Sequence, residues 1–263
     1  MSARAIWKAR LKFNSTTAPV RLYSAIVDRT VHFHILDSKT QSRVKQHMVN
    51  PETGEEVPSN EIQKGYSIEP GLYVILTPEE LEKLKPEASR DIEITRFVSP
   101  DEISSQWYDR AYYLGPDGDE KDYFALAEAL ENKNKEAVAR WVMRGKQYSG
   151  ALRSQDGYLM LITLRPAAEV ISAEDLKPPE GRALEKNELK MAKELIGFLE
   201  GEFDPMEFTD EYRDRVLEFI EKKAAGKKPK LEKATTKRAA KSLETVLSKS
   251  LAALKKQKEK AAA

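Results

Sequence analysis

The chain lacks cysteine altogether and has only 3 histidines among its 263 residues. Without cysteine it can form no disulfide framework, no thiolate zinc site and no cysteine nucleophile. It also lacks a phosphate-binding glycine loop, a G-x-S-x-G elbow and an H-E-x-x-H helix motif. These absences remove the commonest kinds of active site, so we expect a protein that is not an enzyme and needs no cofactor.

Long apolar runs are also missing. No stretch approaches the roughly 18 apolar residues that a membrane-spanning helix requires, and the first eight residues lack the apolar core of a signal peptide. We therefore expect a soluble cytoplasmic protein with no membrane partner.

Charge is distributed very unevenly along the chain. Residues 1–221 hold 30 Lys+Arg and 40 Asp+Glu, a net charge of −10, whereas residues 222–263 hold 14 basic and 3 acidic side chains, a net charge of +11. A basic tail on an acidic body indicates a polyanionic partner, of which nucleic acid is the commonest, although such a tail can also serve only solubility.

Most of the first 165 residues show β-strand patterns. Alternating apolar residues predict strands over 31–36, 91–95 and 138–144, and runs at 20–23 and 72–76 predict two more. Residues 147–153 and 158–164 predict a hairpin around the turn Asp156-Gly157. Thr77-Pro78-Glu79-Glu80 and Ser99-Pro100-Asp101-Glu102 both have the sequence of a helix-starting capping box.

Helical periodicity appears at three places. Tyr123, Leu126, Ala127 and Leu130 predict an amphipathic helix to about residue 134, and later apolar repeats predict helices at about 185–200 and 210–223. Beyond residue 226 the chain is rich in Lys and Ala, and we expect disorder in the absence of a partner.

Basic side chains interspersed through the predicted strands are the best candidates for a functional surface, because phosphate binding requires little more than positioned Lys and Arg. Arg140 and Arg144 are expected to share one strand face. The candidate DNA-binding residues are Lys8, Lys12, Arg21, Arg43, Lys45, Arg140, Arg144, Lys146, Arg153, Lys227, Lys228 and Lys230.

A metal site is the alternative use for the histidines. His32 and His34 would share a strand face and could ligate a metal together with Asp28, but no fourth ligand is evident. A polar strand face is the simpler interpretation, and we expect no metal and no catalytic residue.

Ordered short motifs identify a family resemblance that covers residues 3 to about 222. The chain resembles the bacterial Ku proteins, the homodimeric DNA-end-binding factors of non-homologous end joining. The matching stretches are Arg4–Trp7, Pro19–Ala25, Val31–His34, Gly54–Val57, Lys64–Tyr66, Ile92–Ile94, Phe97–Val98, Tyr112–Leu114 with Pro116, Arg144–Gly145, Ala151–Arg153 and Glu188–Ala192.

The resemblance implies a mixed, β-rich fold with helices. Its core is a seven-stranded Ku-type β-barrel, and a bridging insertion closes a DNA-encircling ring in the homodimer. The implied domains are the core and bridge at 1–180, a helical C-terminal arm at 181–225 that supports dimerisation and recruits ligase, and the Lys/Ala-rich basic tail at 226–263.

The implied function is sequence-independent binding of double-stranded DNA ends and recruitment of ATP-dependent DNA ligase D for double-strand break repair. This is a process of DNA repair and recombination after DNA damage. The localisation would be cytoplasmic and nucleoid-associated. The expected ligase-binding residues are Tyr212, Val216, Phe219 and Ile220.

Two segments depart from the family pattern. Residues 14–18 replace the Gly-Leu-Val of many relatives, and residues 49–54 lack their Cys-x-x-Cys-Gly knuckle, so no zinc ion is expected there. Two other functions stay open. One is a nucleoid-type architectural DNA-binding protein that acts through its basic tail, and the other is a nuclease, which would need a metal-carboxylate cluster.

Overall fold

A computed structural model describes residues 4–118, 120–176, 181 and 186–226. These residues form two compact units. One comprises the described residues up to 29 together with 33–176, and the other comprises Thr30–His32 together with the described residues from 181 onward. The positions expected to act in the tail, Lys227, Lys228 and Lys230, lie outside the described residues.

Nine strands and four α-helices make up the regular structure of the described residues. In chain order they are β1 (Trp7–Phe13), β2 (Thr16–Ser24), β3 (Lys64–Glu69), β4 (Leu72–Leu76), α1 (Pro78–Lys83), β5 (Asp91–Val98), β6 (Tyr108–Pro116), α2 (Lys121–Lys133), β7 (Glu136–Met143), β8 (Lys146–Gln155), β9 (Tyr158–Leu164), α3 (Lys186–Leu199) and α4 (Glu211–Ala224). Short 3₁₀ turns lie at Pro100–Glu102, Ser105–Trp107, Ala167–Glu169, Ala173–Leu176 and Pro205–Glu207.

Seven strands close into a barrel in the order β1-β2-β6-β9-β8-β7-β5. All neighbours are antiparallel except β1 and β5, which pair in parallel through Leu11 and Ile92 and so close the barrel. Residues alternate between the interior and the outer surface, as the pleat of a strand requires. The seven-stranded barrel that the resemblance implied is confirmed.

The barrel interior is the hydrophobic core. Its fully buried side chains come from all seven barrel strands, and the largest apolar ones include Leu11, Val20, Leu22, Ile92, Leu114, Leu152, Leu159 and Leu161. Trp141 stacks on Tyr148 at a centroid distance of 5.6 Å. Gly150 is necessary beside it, since a Cβ there would lie 2.7 Å from the indole ring and 2.6 Å from the carbonyl oxygen of Ile162.

Helix α2 packs on the barrel through the face that the sequence predicted: Tyr123, Leu126, Ala127 and Leu130 are all buried. The hydroxyl of Tyr123 donates a hydrogen bond to the carbonyl of Leu114 (2.6 Å) and accepts one from the amide of Leu159 (2.9 Å). The helix is therefore tied to β6 and β9 by a buried side chain whose polar atom is satisfied.

Residues 25–90 form an insertion between β2 and β5, which we call the β2–β5 insertion. It contains the hairpin β3–β4, in which every strand residue except Leu76 is exposed, so both faces of the hairpin are open. It also contains helix α1, which begins with the predicted capping box at Thr77 and Glu80. About half of the large apolar side chains exposed in the described residues lie in this insertion. An isolated two-stranded sheet of this kind has little stability of its own.

The predicted strand at 31–36 is wrong. In the described residues the segment forms no strand and makes one β-bridge, between Leu36 and Arg43, and Phe33 and Ile35 are 70% and 64% exposed. The Asp37 carboxylate accepts hydrogen bonds from the amide of Lys39 and the hydroxyl of Thr40, which turns the chain after one bridge. Alternation favours a strand only where strand pairing and a buried surface are present, and here the turn limits the pairing to that bridge.

Candidate nucleic-acid interface

The outer face of β1 carries a row of three cations. Lys8, Arg10 and Lys12 point outward while Ala9 and Leu11 point into the core, because strand side chains alternate with a period of two. Arg21 lies on the neighbouring strand directly opposite Lys8. Four positive side chains therefore lie together on the outer surface of the barrel.

Two carboxylates bridge these four cations. The Nζ of Lys8 lies 3.1 Å from Asp117, to which the Nε of Arg21 also donates a 2.7 Å hydrogen bond. Asp91 accepts a 2.8 Å hydrogen bond from the Nε of Arg10, and the Nζ of Lys12 lies 3.9 Å from it. Each carboxylate is shared by two cations, so the surface keeps a local excess of positive charge.

The protonation states of this surface follow from the same contacts. Hydrogen bonds from Arg21, and then from Lys8, hold the pKa of Asp117 below its ordinary value. The bond to Asp117 in turn raises the pKa of Arg21. Asp117 and Arg21 therefore remain charged at neutral pH, and the carboxylate of Asp117 is shared by two cationic side chains.

Strand β7 adds a second cationic position on the same side of the barrel. Arg140 is exposed, and in the sheet register it lies between Glu93 of β5 and Ser149 of β8. It lines an open cleft of about 450 Å³ together with Lys12, Glu87, Asp91 and Glu93. Among the residues that the structure describes, the Arg140 guanidinium has no ion-pair partner.

Arg144 is not on the strand face where the sequence placed it. Strand β7 ends at Met143, and Arg144 is the first residue of a two-residue turn to Lys146, with a positive φ of 52°. The alternation that would align it with Arg140 stops one residue earlier because Gly145 allows a tight reversal of the chain. Arg144 and Lys146 are both exposed at this turn.

Arg153 has a different environment from the other candidates. Its guanidinium lies 2.9 Å from Glu136, whose side chain is only 2% exposed, and it stacks over the ring of Tyr108 at 5.0 Å from the centroid. The Tyr108 hydroxyl donates to the same carboxylate at 2.8 Å. Burial, and then the bond to Glu136, raise the pKa of Tyr108 to about 12. The partner observed for Arg153 is therefore an internal carboxylate.

Two candidate cations lie away from the barrel. Arg43 and Lys45 are exposed in the β2–β5 insertion, beside the bridge that Arg43 makes with Leu36. Their association with DNA stays a prediction.

Sequence reasoning missed two cations at the barrel surface. Arg10 follows the same period of two as Lys8 and Lys12, so the alternation along β1 was a sufficient signal. Arg90 precedes β5, and only the tertiary structure places it near Arg144 in a second cleft.

The four residues expected to contact a ligase lie along α4. Their spacing of four, three and one residues places them on one helical face, and Tyr212 is 70% exposed. Val216 and Phe219 are half-buried, and Ile220 is 41% exposed. They form a partly exposed apolar stripe, and its assignment to a ligase stays a prediction.

No metal cluster is found in the described ranges, in which no three His, Asp or Glu side chains are placed to hold an ion. His32 and His34 do not share a strand face, because residues 31–36 form no strand. No helix in the described part of the chain is long and apolar enough to cross a membrane.

Comparison with known proteins assigns the family. The model of the Ku70/Ku80 beta-barrel domain matches residues 12–191. Non-homologous end joining protein Ku 1 of Geotalea uraniireducens is 36% identical over 87% of this chain and 88% of its own length. The Ku proteins of Coxiella burnetii and Archaeoglobus fulgidus are 36% and 37% identical over 89% and 85% of this chain, and over 87% and 89% of their own lengths. From the motifs, the barrel and these relatives together, the chain belongs to the Ku family.

Proposed function

We propose that this protein binds the ends of double-stranded DNA without sequence preference in non-homologous end joining. It acts as a homodimer and as a binding factor, with no catalytic step of its own. The observation that carries the proposal is family membership over most of the chain, since the relatives are named for that process. The cationic outer face of the barrel is the surface on which phosphates would lie.

The β2–β5 insertion supports the homodimer. Its hairpin β3–β4 exposes Tyr66, Ile68, Tyr73 and Ile75, each more than half exposed in the single chain. Soluble monomers rarely present so much apolar surface on an element with no core of its own. A second copy that covers this hairpin would supply the missing packing, and the two insertions would then enclose the duplex.

Binding through phosphates is consistent with the chemistry of the barrel face. Lys8, Arg10, Lys12 and Arg21 outnumber their two carboxylate partners, and Arg140 has none in the described residues. Such a face provides charge along the backbone of DNA and no base-specific donor pattern. A body with an overall negative charge can therefore hold DNA where its cations are concentrated.

Substitution of both Arg140 and Arg144 by Glu tests whether DNA binds at this surface of the barrel. The double variant is expected to bind linear DNA at least tenfold more weakly in fluorescence anisotropy, since each reversal exchanges attraction for repulsion at a phosphate. Its dimer should remain intact in analytical ultracentrifugation. Unchanged affinity would show that the DNA lies on another surface.

Recruitment of ATP-dependent DNA ligase D is the second part of the proposal. The exposed stripe on α4 supports it, because an amphipathic helix face is a common docking element. Tyr212→Ala is expected to weaken ligase binding in a pull-down with purified components without a change in DNA affinity. Equal retention of ligase by the wild type and the variant would show that Tyr212 on α4 does not contribute to ligase binding.

An architectural role through the basic tail is the alternative function, and the +11 charge of residues 222–263 favours it. The two functions differ in their dependence on ends. Gel-shift titrations with one duplex in open and hairpin-closed forms are expected to show strong binding only to the open form. Equal binding to both forms would favour the architectural role.

A further inference from the structure

A second cleft opens at one end of the barrel, where β1 begins and the β7–β8 turn reverses the chain. It has a volume of about 360 Å³. Its lining consists of Trp7, Val142, Arg144, Gly145 and the segment Ala88–Arg90. Pockets that bind small ligands begin at roughly this size.

The cleft joins an apolar wall to two guanidinium groups. Trp7 is half-buried against the core, and Ala88 and Val142 extend the apolar surface beside it. Arg90 and Arg144 are exposed, and neither side chain has an ion-pair or hydrogen-bond partner among the described residues. In this they differ from Lys8, Arg10, Lys12 and Arg21, which all lie near carboxylates.

The backbone at Arg144 supplies an independent observation. Three hairpin turns of this barrel place a residue with positive φ first in the loop: Asn14 (54°), Arg144 (52°) and Asp156 (53°). Asn and Asp tolerate this conformation, whereas a long side chain there costs on the order of 1 kcal/mol. Arginine is thus the exception at a position that favours Asn, and strain of this kind is concentrated at functional sites.

We propose that this cleft binds the phosphorylated terminal nucleotide of a single-stranded DNA overhang. The base would pack on Trp7 and the apolar wall, and the terminal phosphate would accept hydrogen bonds from Arg90 and Arg144. An unstacked base has an open face for an aromatic side chain, whereas bases inside a duplex do not. Arginine binds a terminal phosphate through paired hydrogen bonds.

This inference rests on the proposed binding of DNA ends and adds a preference among ends. A terminal phosphate carries more charge than a bridging phosphate and offers three acceptor oxygens, so two unpaired guanidinium groups would distinguish them. The protein would then hold an end whose phosphate is ready for joining more tightly than an end that lacks it.

Competition between four end types tests the proposal with the full chain. The duplexes are identical except for a four-nucleotide 5′ overhang or a blunt end, each with a 5′-phosphate or a 5′-hydroxyl. Wild type is expected to bind the phosphorylated overhang about tenfold more tightly than the hydroxylated overhang, as one charge-assisted contact provides. Equal affinity for these two ends would overturn the proposal.

Arg144→Asn is the decisive variant, since Asn accepts the positive φ and removes only the guanidinium. It is expected to lose the preference for phosphate, so that its affinities for the phosphorylated and the hydroxylated overhang become equal, and to unfold at the wild-type temperature or above. Arg110→Gln, which removes an exposed arginine from β6, is the matched control and should keep the preference. Equal weakening of every end by Arg144→Asn would assign Arg144 to general backbone binding and overturn the proposal.

Tryptophan fluorescence gives a second readout. A 5′-phosphorylated dinucleotide is expected to quench wild-type emission, and Trp7→Phe should lose that quenching while Trp107 and Trp141 continue to report the fold. Quenching that persists in Trp7→Phe would contradict the site. If wild type instead bound no open end in preference to a closed one, the proposed function itself would fail, and that result is distinct from the absence of a phosphate preference.

Discussion

The buried pair of Glu136 and Arg153 gives the sharpest prediction about stability. Glu136→Gln keeps the size of the side chain but removes its charge, which leaves the Arg153 guanidinium without its counter-charge. The glutamate side chain is 2% exposed and the arginine side chain 33%. The Nε of Arg153 is itself buried without a hydrogen-bond partner in the described part of the chain, so few contacts could replace the carboxylate.

The expected loss follows from this partial burial. Breaking a fully buried pair costs about 3–5 kcal/mol, and the access of water to Arg153 lowers that figure to roughly 2–3 kcal/mol. For a protein of this size each kcal/mol corresponds to about 2–4 °C, so the melting temperature should fall by roughly 4–12 °C.

Urea unfolding followed by circular dichroism measures the change in free energy. Glu128→Gln, on the exposed face of α2, is the matched control and should shift stability by less than about 0.5 kcal/mol. The double variant Glu136→Gln/Arg153→Met should be more stable than Glu136→Gln alone, because it removes the uncompensated charge. A loss below about 0.5 kcal/mol for Glu136→Gln, or no recovery in the double variant, would refute the reasoning.

The same cluster predicts a dependence on alkaline pH. The pKa of Tyr108 is raised to about 12 in the folded state from 10.0, so the folded protein holds this proton more strongly than the unfolded chain does. The stability that protonated Tyr108 contributes to the fold is complete below pH 10 and is lost as the pH rises toward 12. Tyr108→Phe should lack this part of the stability profile, and identical alkaline profiles for both proteins would contradict the assignment.

Three further outcomes are expected. Asp117→Asn should reduce the loss of folding stability in acid. Arg21 lowers the pKa of Asp117, so the stability that the charged carboxylate contributes is lost as the pH falls through that lowered value. An unchanged acid profile in thermal unfolding would disprove the contact. Removal of residues 227–263 should weaken DNA binding and reduce its salt dependence but keep the preference for open ends, as anisotropy titrations at several salt concentrations would measure; loss of that preference would contradict the role of the barrel. Gly150→Ala should destabilise the barrel by about 1–3 kcal/mol in urea unfolding, because the added Cβ would meet the Trp141 ring and the carbonyl oxygen of Ile162. Unchanged stability would show that these neighbours can move to accommodate a methyl group.

Much of the barrel is predictable because its signals are local. The β7 alternation as far as Met143, the Asp156-Gly157 turn and the buried stripe of α2 each depend on residues close together in the chain, and all three are confirmed. Turn chemistry and periodicity carry enough information at that range.

The remaining features depend on contacts that are distant in the sequence. Barrel closure pairs β1 with β5 across the whole β2–β5 insertion, and no local pattern indicates that pairing. The 31–36 segment has a strand pattern, but in the described residues it forms one β-bridge, between Leu36 and Arg43, and no strand. Many apolar residues in the insertion are exposed in the single chain, so an apolar pattern in this part of the sequence does not indicate a buried core.

The candidate DNA-binding residues also differ in how much of their role the sequence could predict. Lys8 and Lys12 were identified by their positive charge alone, whereas their common face on β1, the pairing of Arg153 with Glu136 and the positive φ of Arg144 appear only in the structure. A charged residue in a sequence does not disclose whether its partner is a carboxylate inside the protein or a phosphate outside it.

Topological trapping tests the central claim most directly. The protein is loaded onto linear DNA, the DNA is then closed into a circle by an added ligase, and the salt concentration is raised until simple electrostatic binding is lost. Retention on the circle, followed by release when a restriction enzyme opens it, is the predicted result for a dimer that encloses the duplex. Dissociation from the closed circle as fast as from linear DNA would contradict the claim.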